Sequence, residues 1–389
     1  MTQQLQAANP YIIRLERVRN AMQRSGMDYL FLNYGADLTY ISGISEPNNY
    51  YISKSPGDWI VGLIVGLDHE PIMILTRGFA IKIERHSWIQ DMRILPDGAD
   101  PDQFLASILA ELRITKQTMG LGKTVWSQTA LSLRAGAPDA TFVPVTNAFT
   151  DKIREVKDED EIALMQRAAE ITDEAMAATV SMLRIGMTER DVAIEVDYQL
   201  RRHGGDKPSF YPGIICVGNG SDTQRHIMER NTDMVLAPGT TVAFDWGVSY
   251  KGYASDFGRS VFIGEPRSDA LEAYDAITSL NQTLMEEMKD GVISPAGIAA
   301  MASEIMNTAG WGDYYMHMGL GHSIGLDVHE NPWHRPAFDE PIRTNMCFTI
   351  EPKIWKPGVF YVRCEDVVVV GPERSRPLTM FHYDPIVVS

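Results

Sequence analysis

Two aspartates in the second half of the chain lie inside apolar segments that alternate as β-strands do. Asp245 is in VAFDWGVSY, and Asp256, eleven residues later, is in YASDFGRSVFI. The Lys251-Gly252 dipeptide between these segments predicts a hairpin. A turn centred near Tyr250–Lys251 would place the two carboxylates opposite each other, about 5 Å apart. Like charges so placed are destabilising without a cation between them. The pair therefore predicts a cation site or, alternatively, one solvent-facing aspartate and one that caps a turn.

A second pair of carboxylates occurs in the segment CFTIEPKIWKPGVFYVRCEDVVVV. Glu351 and Glu365 lie fourteen residues apart on two apolar stretches that a Pro357-Gly358 turn joins. A carboxylate buried in such a strand needs a partner, because burying an unpaired charge is costly. The partner is either a metal ion or a structural ion pair with Arg363 or Lys353, and the sequence leaves both possibilities open.

Between the two hairpins, the segment MHMGLGHSIGLDVHE carries His322 and His329 in a glycine-rich loop. A single histidine in such a loop carries little information by itself. Together with the four carboxylates, these imidazoles add nitrogen donors to a set of oxygen donors. Such a set suits a pair of bridged divalent ions better than Ca²⁺ or a thiolate zinc site. Two ions about 3.5–4 Å apart would activate a water molecule and polarise a carbonyl group.

The segments that carry these residues follow two similar pairs of predicted helices. Thr188 caps the second helix of the first pair, and Ser294, 106 residues later, starts the corresponding helix of the second pair. A β-rich segment follows each pair. An offset of this length indicates two halves of one duplicated domain rather than a solenoid repeat. We expect the two helix pairs to pack against a shared, curved antiparallel sheet.

The first 155 residues read as a separate, small α/β domain. Helical and strand patterns alternate in this segment. The strands are predicted at 28–35, 59–66 and 70–78, and the helices at 102–114 and 127–138. A charged stretch that opens a long amphipathic helix marks the boundary near residue 155. The sequence thus predicts an α+β protein with domains at 1–155 and 156–389, of which the second carries the chemistry.

The composition excludes several classes of protein. The 389 residues are 44% hydrophobic and 22% charged, which excludes a disordered or low-complexity chain. A net charge of −16 argues against nucleic acid or an anionic membrane as a partner. No apolar run approaches the roughly 18 residues of a membrane span, and the three cysteines show no C-x-x-C spacing. We therefore expect a cytoplasmic protein.

Four of these segments together resemble a known family. The runs FDWGVSYKGYASDFGR, GHSIGLDVHE, TIEPKIW and VRCEDVVVV are similar, in this order, to the metal-binding segments of the creatinase-fold (pita-bread) metallopeptidases. That family includes the methionine aminopeptidases, aminopeptidase P and the Xaa-Pro dipeptidases, or prolidases. The similarity extends from about residue 154 to about residue 370, with a weaker match at 36–43. It implies a creatinase-like N-terminal domain followed by a pita-bread catalytic domain.

The resemblance implies a role for each of the residues that could carry chemistry. It implies five metal ligands, which are Asp245, Asp256, His322, Glu351 and Glu365. Among them, Asp256 and Glu365 would bridge two divalent ions, and Glu351 would also act as the general base. The ions are expected to be Mn²⁺, with Co²⁺, Zn²⁺ and Fe²⁺ as alternatives.

Five further residues have expected roles around the ligands. His329 matches the family histidine that contacts the substrate and steadies the tetrahedral intermediate. Arg363 matches the arginine that fixes the metal carboxylates. His226 lies where these enzymes have a histidine near the scissile bond, although the residues after it depart from the family pattern. Trp333 and His334, in a proline-marked loop, are candidates for substrate contact.

The domain order narrows the expected activity. A separate N-terminal domain favours aminopeptidase P and prolidase over the one-domain methionine aminopeptidases. We therefore expect a homodimeric, dinuclear-metal hydrolase that cleaves Xaa-Pro bonds in dipeptides or short peptides. The alternative is a creatinase-like hydrolase of C–N bonds, or a metal-dependent lyase, that acts on a small metabolite such as a sulfonium or betaine osmolyte. A binding module is disfavoured, because such proteins typically lose ligands and all five are intact here.

Overall fold

The computed structural model describes residues 9–45, 57–83, 87–220 and 229–389. The chain divides into two compact units, Met1–Ile153 and Arg154–Ser389. Each unit has its own sheets and its own hydrophobic core. Within the described ranges, no helix combines the length and the apolar character that crossing a bilayer requires.

The first unit is built on one six-stranded mixed sheet. Its strands are β1 (Tyr29–Asn33), β2 (Gly62–Gly66), β3 (Ile72–Thr76), β4 (Asp91–Leu95), β5 (Thr118–Leu121) and β6 (Thr141–Pro144). The sheet order is β4-β3-β2-β1-β5-β6. Strand β1 pairs antiparallel with β2 and parallel with β5, as expected for a mixed sheet that helical connections cross.

The helices of the first unit confirm the alternating pattern. They are α1 (Pro10–Arg24), α2 (Ala36–Ser42), a 3₁₀ helix (Asp58–Ile60), α3 (Arg77–Ile83), α4 (Pro101–Glu111), α5 (Ser127–Gly136) and α6 (Asn147–Arg154). Helix α4 begins where Asp100 accepts a hydrogen bond from the backbone of Asp102 and Pro101 occupies the first turn. Its apolar face packs through Leu105 and Leu109 onto the core of the sheet.

The second unit contains the two predicted helix pairs. They are α7 (Glu159–Met182) with α8 (Glu189–Arg202), and α9 (Ser268–Glu287) with α10 (Pro295–Thr308). Thr188 and Asp191 form a reciprocal capping box at the start of α8. At the corresponding position before α10, Ser294 accepts a hydrogen bond from the backbone of Gly297. The predicted starts of both second helices are therefore confirmed.

The strands of the second unit form several sheets. They are β7 (Lys207–Pro208), β8 (Gly213–Gly218), β9 (Thr240–Asp245), β10 (Val248–Tyr250), β11 (Tyr253–Ala254), β12 (Ser260–Ile263), β13 (His322–Ser323), β14 (Glu330–Trp333), β15 (Cys347–Ile350), β16 (Lys353–Lys356), β17 (Phe360–Arg363), β18 (Asp366–Val369), β19 (Arg376–Pro377) and β20 (Ile386–Val388). The two larger sheets have the orders β20-β12-β9-β8 and β14-β13-β15-β18-β19, and the smaller ones β11-β10-β7 and β16-β17.

The sheet of this unit is more divided than the sequence predicts. One shared antiparallel sheet is expected, whereas β12 pairs parallel with β20 and the two larger sheets meet through the isolated bridge between Gly258 and Glu365. At this bridge the N–H of Glu365 donates to the carbonyl of Gly258 at 2.8 Å, and the N–H of Gly258 donates to the carbonyl of Glu365 at 3.3 Å.

The first hairpin differs from the prediction in its register. Strands β10 and β11 pair Tyr250 with Tyr253, so the turn consists of Lys251 and Gly252. Both residues have positive φ, 50° and 89°. A two-residue turn with positive φ at both positions is the preferred hairpin type, because its twist matches that of the strands. The turn is therefore centred one residue later than expected.

This shift changes the partner of Asp245. The register of β9 with β12 pairs Ala243 with Ser260, and a bridge joins Trp246 to Phe257. Asp245 consequently lies opposite Gly258, and Asp256 is its diagonal neighbour on the same face. The two aspartates still share a face, because residues two apart on a strand point to the same side.

A buried ion cluster fixes the loop that carries His329. Glu330 accepts hydrogen bonds from Arg154 at 2.9 Å and from Lys157 at 3.1 Å. Its carboxylate also accepts the backbone N–H groups of Leu326 and Asp327. Glu330, Arg154 and Lys157 are all buried. The loop before β14 is therefore tied to the start of the second unit.

We expect Glu330→Gln to lower the free energy of unfolding by about 3 kcal/mol near neutral pH. The buried ammonium of Lys157 would lose its carboxylate, and Arg154 would lose Glu330 while keeping its bond to Asp327. Denaturant titration followed by circular dichroism measures the change. The exposed pair of Arg167 and Glu170 provides the control, and Glu170→Gln should cost less than about 1 kcal/mol.

The same cluster predicts a pH dependence. Burial by itself raises the pKa of Glu330, but Arg154 and Lys157 outweigh it and lower the pKa from 4.5 to about 2. A carboxylate whose pKa is lower in the folded state stabilises above its unfolded pKa. The difference in unfolding free energy between wild type and Glu330→Gln should thus be full above about pH 4.5 and shrink as the pH falls toward 2. A difference that stays constant over this interval would contradict the assignment.

Candidate metal centre

Five of the residues selected from the sequence converge in the second unit. Oxygen atoms of Asp245, Asp256 and Glu365 lie within 4.8 Å of one another. His322 Nε2 lies 3.7 Å from Asp256 Oδ2 and 3.5 Å from Glu351 Oε1. All five side chains are buried. The structure therefore brings together four carboxylates and one imidazole from segments that lie far apart in the sequence.

The backbone brings these segments together where a ladder is interrupted. Strands β15 and β18 pair up to Ile350 and Asp366, and β16 and β17 resume pairing at Lys353 and Arg363. Between these pairs, the N–H of Glu351 donates to the carbonyl of Leu320, and the N–H of Glu365 donates to the carbonyl of Gly258, both at 2.8 Å.

This exchange of partners has a direct consequence for the site. Leu320 precedes His322 by two residues, and Gly258 follows Asp256 by two residues. The two glutamates are thereby held by backbone bonds beside the histidine segment and the first hairpin. A Cβ at Gly258 would lie 2.7 Å from Arg363 Nε and 2.9 Å from the carbonyl of Phe244, so only glycine permits this approach.

Arg363 links three of the carboxylates through its guanidinium. It donates to Asp245 Oδ2 at 2.9 Å, to Glu351 Oε2 at 3.0 Å and, through Nε, to Glu365 Oε2 at 3.1 Å. The side chain is buried, and the surrounding carboxylates hold its pKa well above the usual value although burial opposes them. The planar fork of arginine suits this shared contact better than the single ammonium of lysine.

Two further cations contact the outer oxygens of the same group. Arg230 Nη1 lies 2.6 Å from Asp245 Oδ2, and Lys353 Nζ contacts Glu351 Oε2. The three cations therefore bind one carboxylate oxygen on each of three residues, Asp245, Glu351 and Glu365. Arg230 has no signal in the sequence, because nothing in its spacing relates it to Asp245.

The carboxylates that lie deepest are the ones least compensated by the chain. Burial, reinforced by the charges of Glu365 and Asp245, raises the pKa of Asp256 well above its ordinary value. Burial likewise raises the pKa of Glu365 to about 8, despite the opposing charge of Arg363. For Glu351, the charges of Lys353 and Arg363 outweigh burial and lower the pKa to about 2.

His322 presents a lone pair to this group. Its Nδ1 lies 3.1 Å from the backbone carbonyl of Ser323, so Nδ1 donates its proton there and Nε2 faces the carboxylates. Burial lowers the pKa of His322 to about 4, so the imidazole is neutral near pH 7. The contacts of Nε2 with Asp256 and Glu351 are then not ion pairs but places where acceptor faces acceptor.

These features fit a group of divalent cations. Asp256 Oδ1 and Glu365 Oε1 are buried and have no hydrogen-bond partner in the part of the chain that the structure describes. A cation among the carboxylates would satisfy these oxygens and the lone pair of His322, and would remove the repulsion between like charges. The donor set, oxygen-rich with one imidazole, agrees with the sequence-based expectation.

His329 meets the ring of His322 edge-on and stacks on Trp333. The ring centroids of the two histidines are 4.4 Å apart, and the indole of Trp333 stacks on His329 at 5.1 Å with an interplanar angle of 28°. The guanidinium of Arg335 lies over the ring of Trp333, 4.3 Å from its centroid. By its accessible surface His329 is exposed, and partial desolvation of its ring lowers its pKa.

The remaining candidates lie elsewhere. His334 is buried, its Nε2 donates to the backbone carbonyl of Thr349 at 3.1 Å and its ring packs against Phe348, which is a core position behind the ligand segment. Burial lowers its pKa to about 4. His226 lies outside the described residues.

Comparison with known proteins places this geometry in a family context. The profile of metallopeptidase family M24 matches residues 163–372, and that of the creatinase/prolidase N-terminal domain matches residues 14–156. An Xaa-Pro dipeptidase of Lactobacillus delbrueckii subsp. lactis is 30% identical over 370 residues, covering 94% of this chain and 96% of that protein. An Xaa-Pro dipeptidase of Pyrococcus furiosus is 27% identical over 368 residues, covering 94% and 97%.

A solved structure extends the likeness to the whole fold. A prolidase from Thermococcus sibiricus superposes with a TM-score of 0.85 at 25% identity, covering 97% of this chain and 99% of that one. The predictions of a creatinase fold and of a metal-dependent hydrolase are confirmed by these matches. The chain belongs to metallopeptidase family M24 and carries a creatinase/prolidase N-terminal domain.

Proposed function

We propose that this chain is an Xaa-Pro dipeptidase that uses two divalent ions, bound by Asp245, Asp256, His322, Glu351 and Glu365, to hydrolyse the bond before proline. One observation carries the proposal. These five side chains converge, and three of their atoms face inward without a protein partner to bind. Two are buried carboxylate oxygens with no hydrogen-bond partner among the described residues, and the third is an imidazole nitrogen with a lone pair. The names of the relatives, which match along nearly their whole length, supply the substrate class.

The chain's own residues divide the work of hydrolysis between them. Bound divalent ions would polarise the scissile carbonyl and lower the pKa of the attacking water. Glu351, ionised near neutral pH, accepts a proton from that water and passes it to the departing prolyl nitrogen. Arg363 holds three carboxylates in place through its bonds to their outer oxygens. These roles require Glu351 and Arg363 to stay charged in the active enzyme.

The aromatic stack supports the substrate side of the site. His329, packed against His322 and Trp333, donates a hydrogen bond to the carbonyl oxygen as the tetrahedral intermediate forms. Trp333, with Arg335 over its ring, forms the wall of the site that the substrate contacts. His334 supports this wall from behind through Thr349 rather than by direct contact. The expected role of His226 near the scissile bond is kept as part of the proposal.

The remaining properties of the enzyme follow from the resemblance and the composition. We assign the metal-binding catalytic domain to residues 156–389 and the creatinase-like domain to residues 1–155. Mn²⁺ is the proposed metal, because carboxylate-dominated sites suit it. A cytoplasmic location agrees with three buried, free cysteines. A homodimer is expected by family resemblance, and light scattering of the purified chain tests it.

Asp256→Asn tests the metal centre. The substitution keeps the shape of the side chain and removes one negative charge from the middle of the cluster of four carboxylates. We therefore expect Mn²⁺ binding to weaken and kcat/KM to fall by at least about 100-fold. Circular dichroism should show an unchanged fold. Metal content and the rise in Tm on adding Mn²⁺ are measured alongside activity.

The control for this variant is an acidic residue outside the site. Glu373 is exposed on the surface of the same unit, and Glu373→Gln should leave metal content and activity unchanged. If Asp256→Asn retained both its metal and its activity, the proposed bridging role of Asp256 would be wrong.

A comparison of substrates tests the reaction. With Mn²⁺ present, we expect turnover of an Xaa-Pro dipeptide, with weaker turnover of a longer peptide that begins with the same Xaa-Pro pair. The same assay includes a betaine and a sulfonium compound, which should remain intact. Product analysis by mass spectrometry follows each one.

The outcomes of this assay separate the candidate activities. Cleavage of the small metabolites alone, with two ions bound per chain, would reject the peptidase and keep the metal centre. Preference for the longer peptide would favour an aminopeptidase over a dipeptidase. If the chain bound no divalent ions and its activity did not depend on them, the whole proposal would be wrong.

A further inference from the structure

The cluster of four buried carboxylates is contacted by a second buried cation besides Arg363. Lys353 begins β16 and pairs across the hairpin with Arg363, the first residue pair of that ladder. Its ammonium contacts Glu351 Oε2, the same oxygen to which Arg363 donates at 3.0 Å. Like charges opposite each other in a ladder repel, so the shared glutamate oxygen holds the two cations together.

The surroundings of Lys353 keep its ammonium inside the site. Only 8% of the side chain is exposed. The position that a Cβ would take at Gly319 lies 3.6 Å from Nζ, so the loop that leads to His322 passes directly over it. Arg230, the cation on Asp245, is more exposed at 21% and is less confined.

The formal charges of the group set a limit on added cations. In the deprotonated forms that bind a metal, Asp245, Asp256, Glu351 and Glu365 carry four negative charges. Arg363, Arg230 and Lys353 carry three positive ones, which leaves a net charge of −1. One divalent ion would already reverse this sign, and a second would add two more positive charges to a buried region. Repulsion between cations is strong where water is excluded.

We propose that Lys353 acts as an internal competitor for divalent ions, which weakens binding of the ion beside His322 and Glu351 relative to the ion held by Asp245, Asp256 and Glu365. The inference rests on the proposed metal centre. Arg363 contacts both sides. The three carboxylates on one side lie within 4.8 Å of one another and meet the more exposed Arg230, whereas Glu351 on the other side meets the buried, confined ammonium of Lys353. The centre therefore fills in two steps, and the ammonium leaves Glu351 when the second ion binds.

Titration of the metal-free, full-length chain with Mn²⁺ tests the inference. Calorimetry combined with elemental analysis should show two classes of site in the wild type, separated by at least about tenfold in Kd. Lys353→Met should tighten the weaker class by at least about tenfold, equivalent to about 1.4 kcal/mol, and change the tighter class by less than about threefold. Lys353→Gln is the second variant if the methionine side chain disturbs folding, and it should have the same effect.

Two variants serve as matched controls. Lys356 lies on the same strand and contacts Asp269 on the surface at 3.2 Å, so Lys356→Met should leave both Kd values unchanged. Lys353→Arg keeps the positive charge and should retain the weak class.

The outcomes distinguish this inference from the proposed function. Two equal sites in the wild type, or unchanged or weaker Mn²⁺ binding in both Lys353→Met and Lys353→Gln, would overturn it while the metal centre stands. Unchanged Mn²⁺ binding with a raised KM for an Xaa-Pro dipeptide would assign Lys353 to substrate binding instead. A wild-type chain that binds no Mn²⁺ would reject the metal centre and the inference together.

Discussion

Four carboxylates buried in one small region are the constraint on which the second unit depends. Each of them costs free energy to bury, and together they repel. The chain answers this partly with its own cations, through Arg363 in the centre and Arg230 and Lys353 at the sides. The compensation stops at the outer oxygens, so the inner oxygens of Asp256 and Glu365 are left for an external cation. The region is therefore built to be incomplete without one.

The backbone supplies the precision that this arrangement needs. The ribbon of β15 to β18 gives up its own ladder at Glu351 and Glu365, and the freed groups bind Leu320 and Gly258. No backbone donor is wasted, because each one finds a partner in the neighbouring segment. Gly258 permits the close approach that a side chain would block. The break in the sheet is thus the feature that fixes the two hairpins and the histidine loop beside one another.

The substrate side depends on a second buried cluster. Glu330 accepts bonds from Arg154 and Lys157, and the preceding loop folds back onto its carboxylate. This holds the segment on which His329 lies and keeps it against Trp333. A metal-dependent peptidase needs both parts, because the cations act on the carbonyl while a separate group must steady its developing charge. In the proposed mechanism these two tasks fall to the sheet and to the loop.

The sequence alone determined the types of the metal-site residues, the two hairpins that carry the carboxylates and the helix starts at Thr188 and Ser294. These features are local, since strand periodicity, turn chemistry and capping depend on neighbouring residues. The turn centre was predicted one residue too early, which moves the partner of Asp245 by two residues, from Asp256 to Gly258. Residues two apart on a strand point to the same side, so Asp245 and Asp256 still share a face. The tertiary structure alone decided that Asp245 faces Gly258 and binds Arg230, and that Lys353 turns inward to Glu351. Contacts between segments that are far apart in the sequence depend on how whole sheets pack. The spacing of residues along the chain carries no information about which of these segments meet in space.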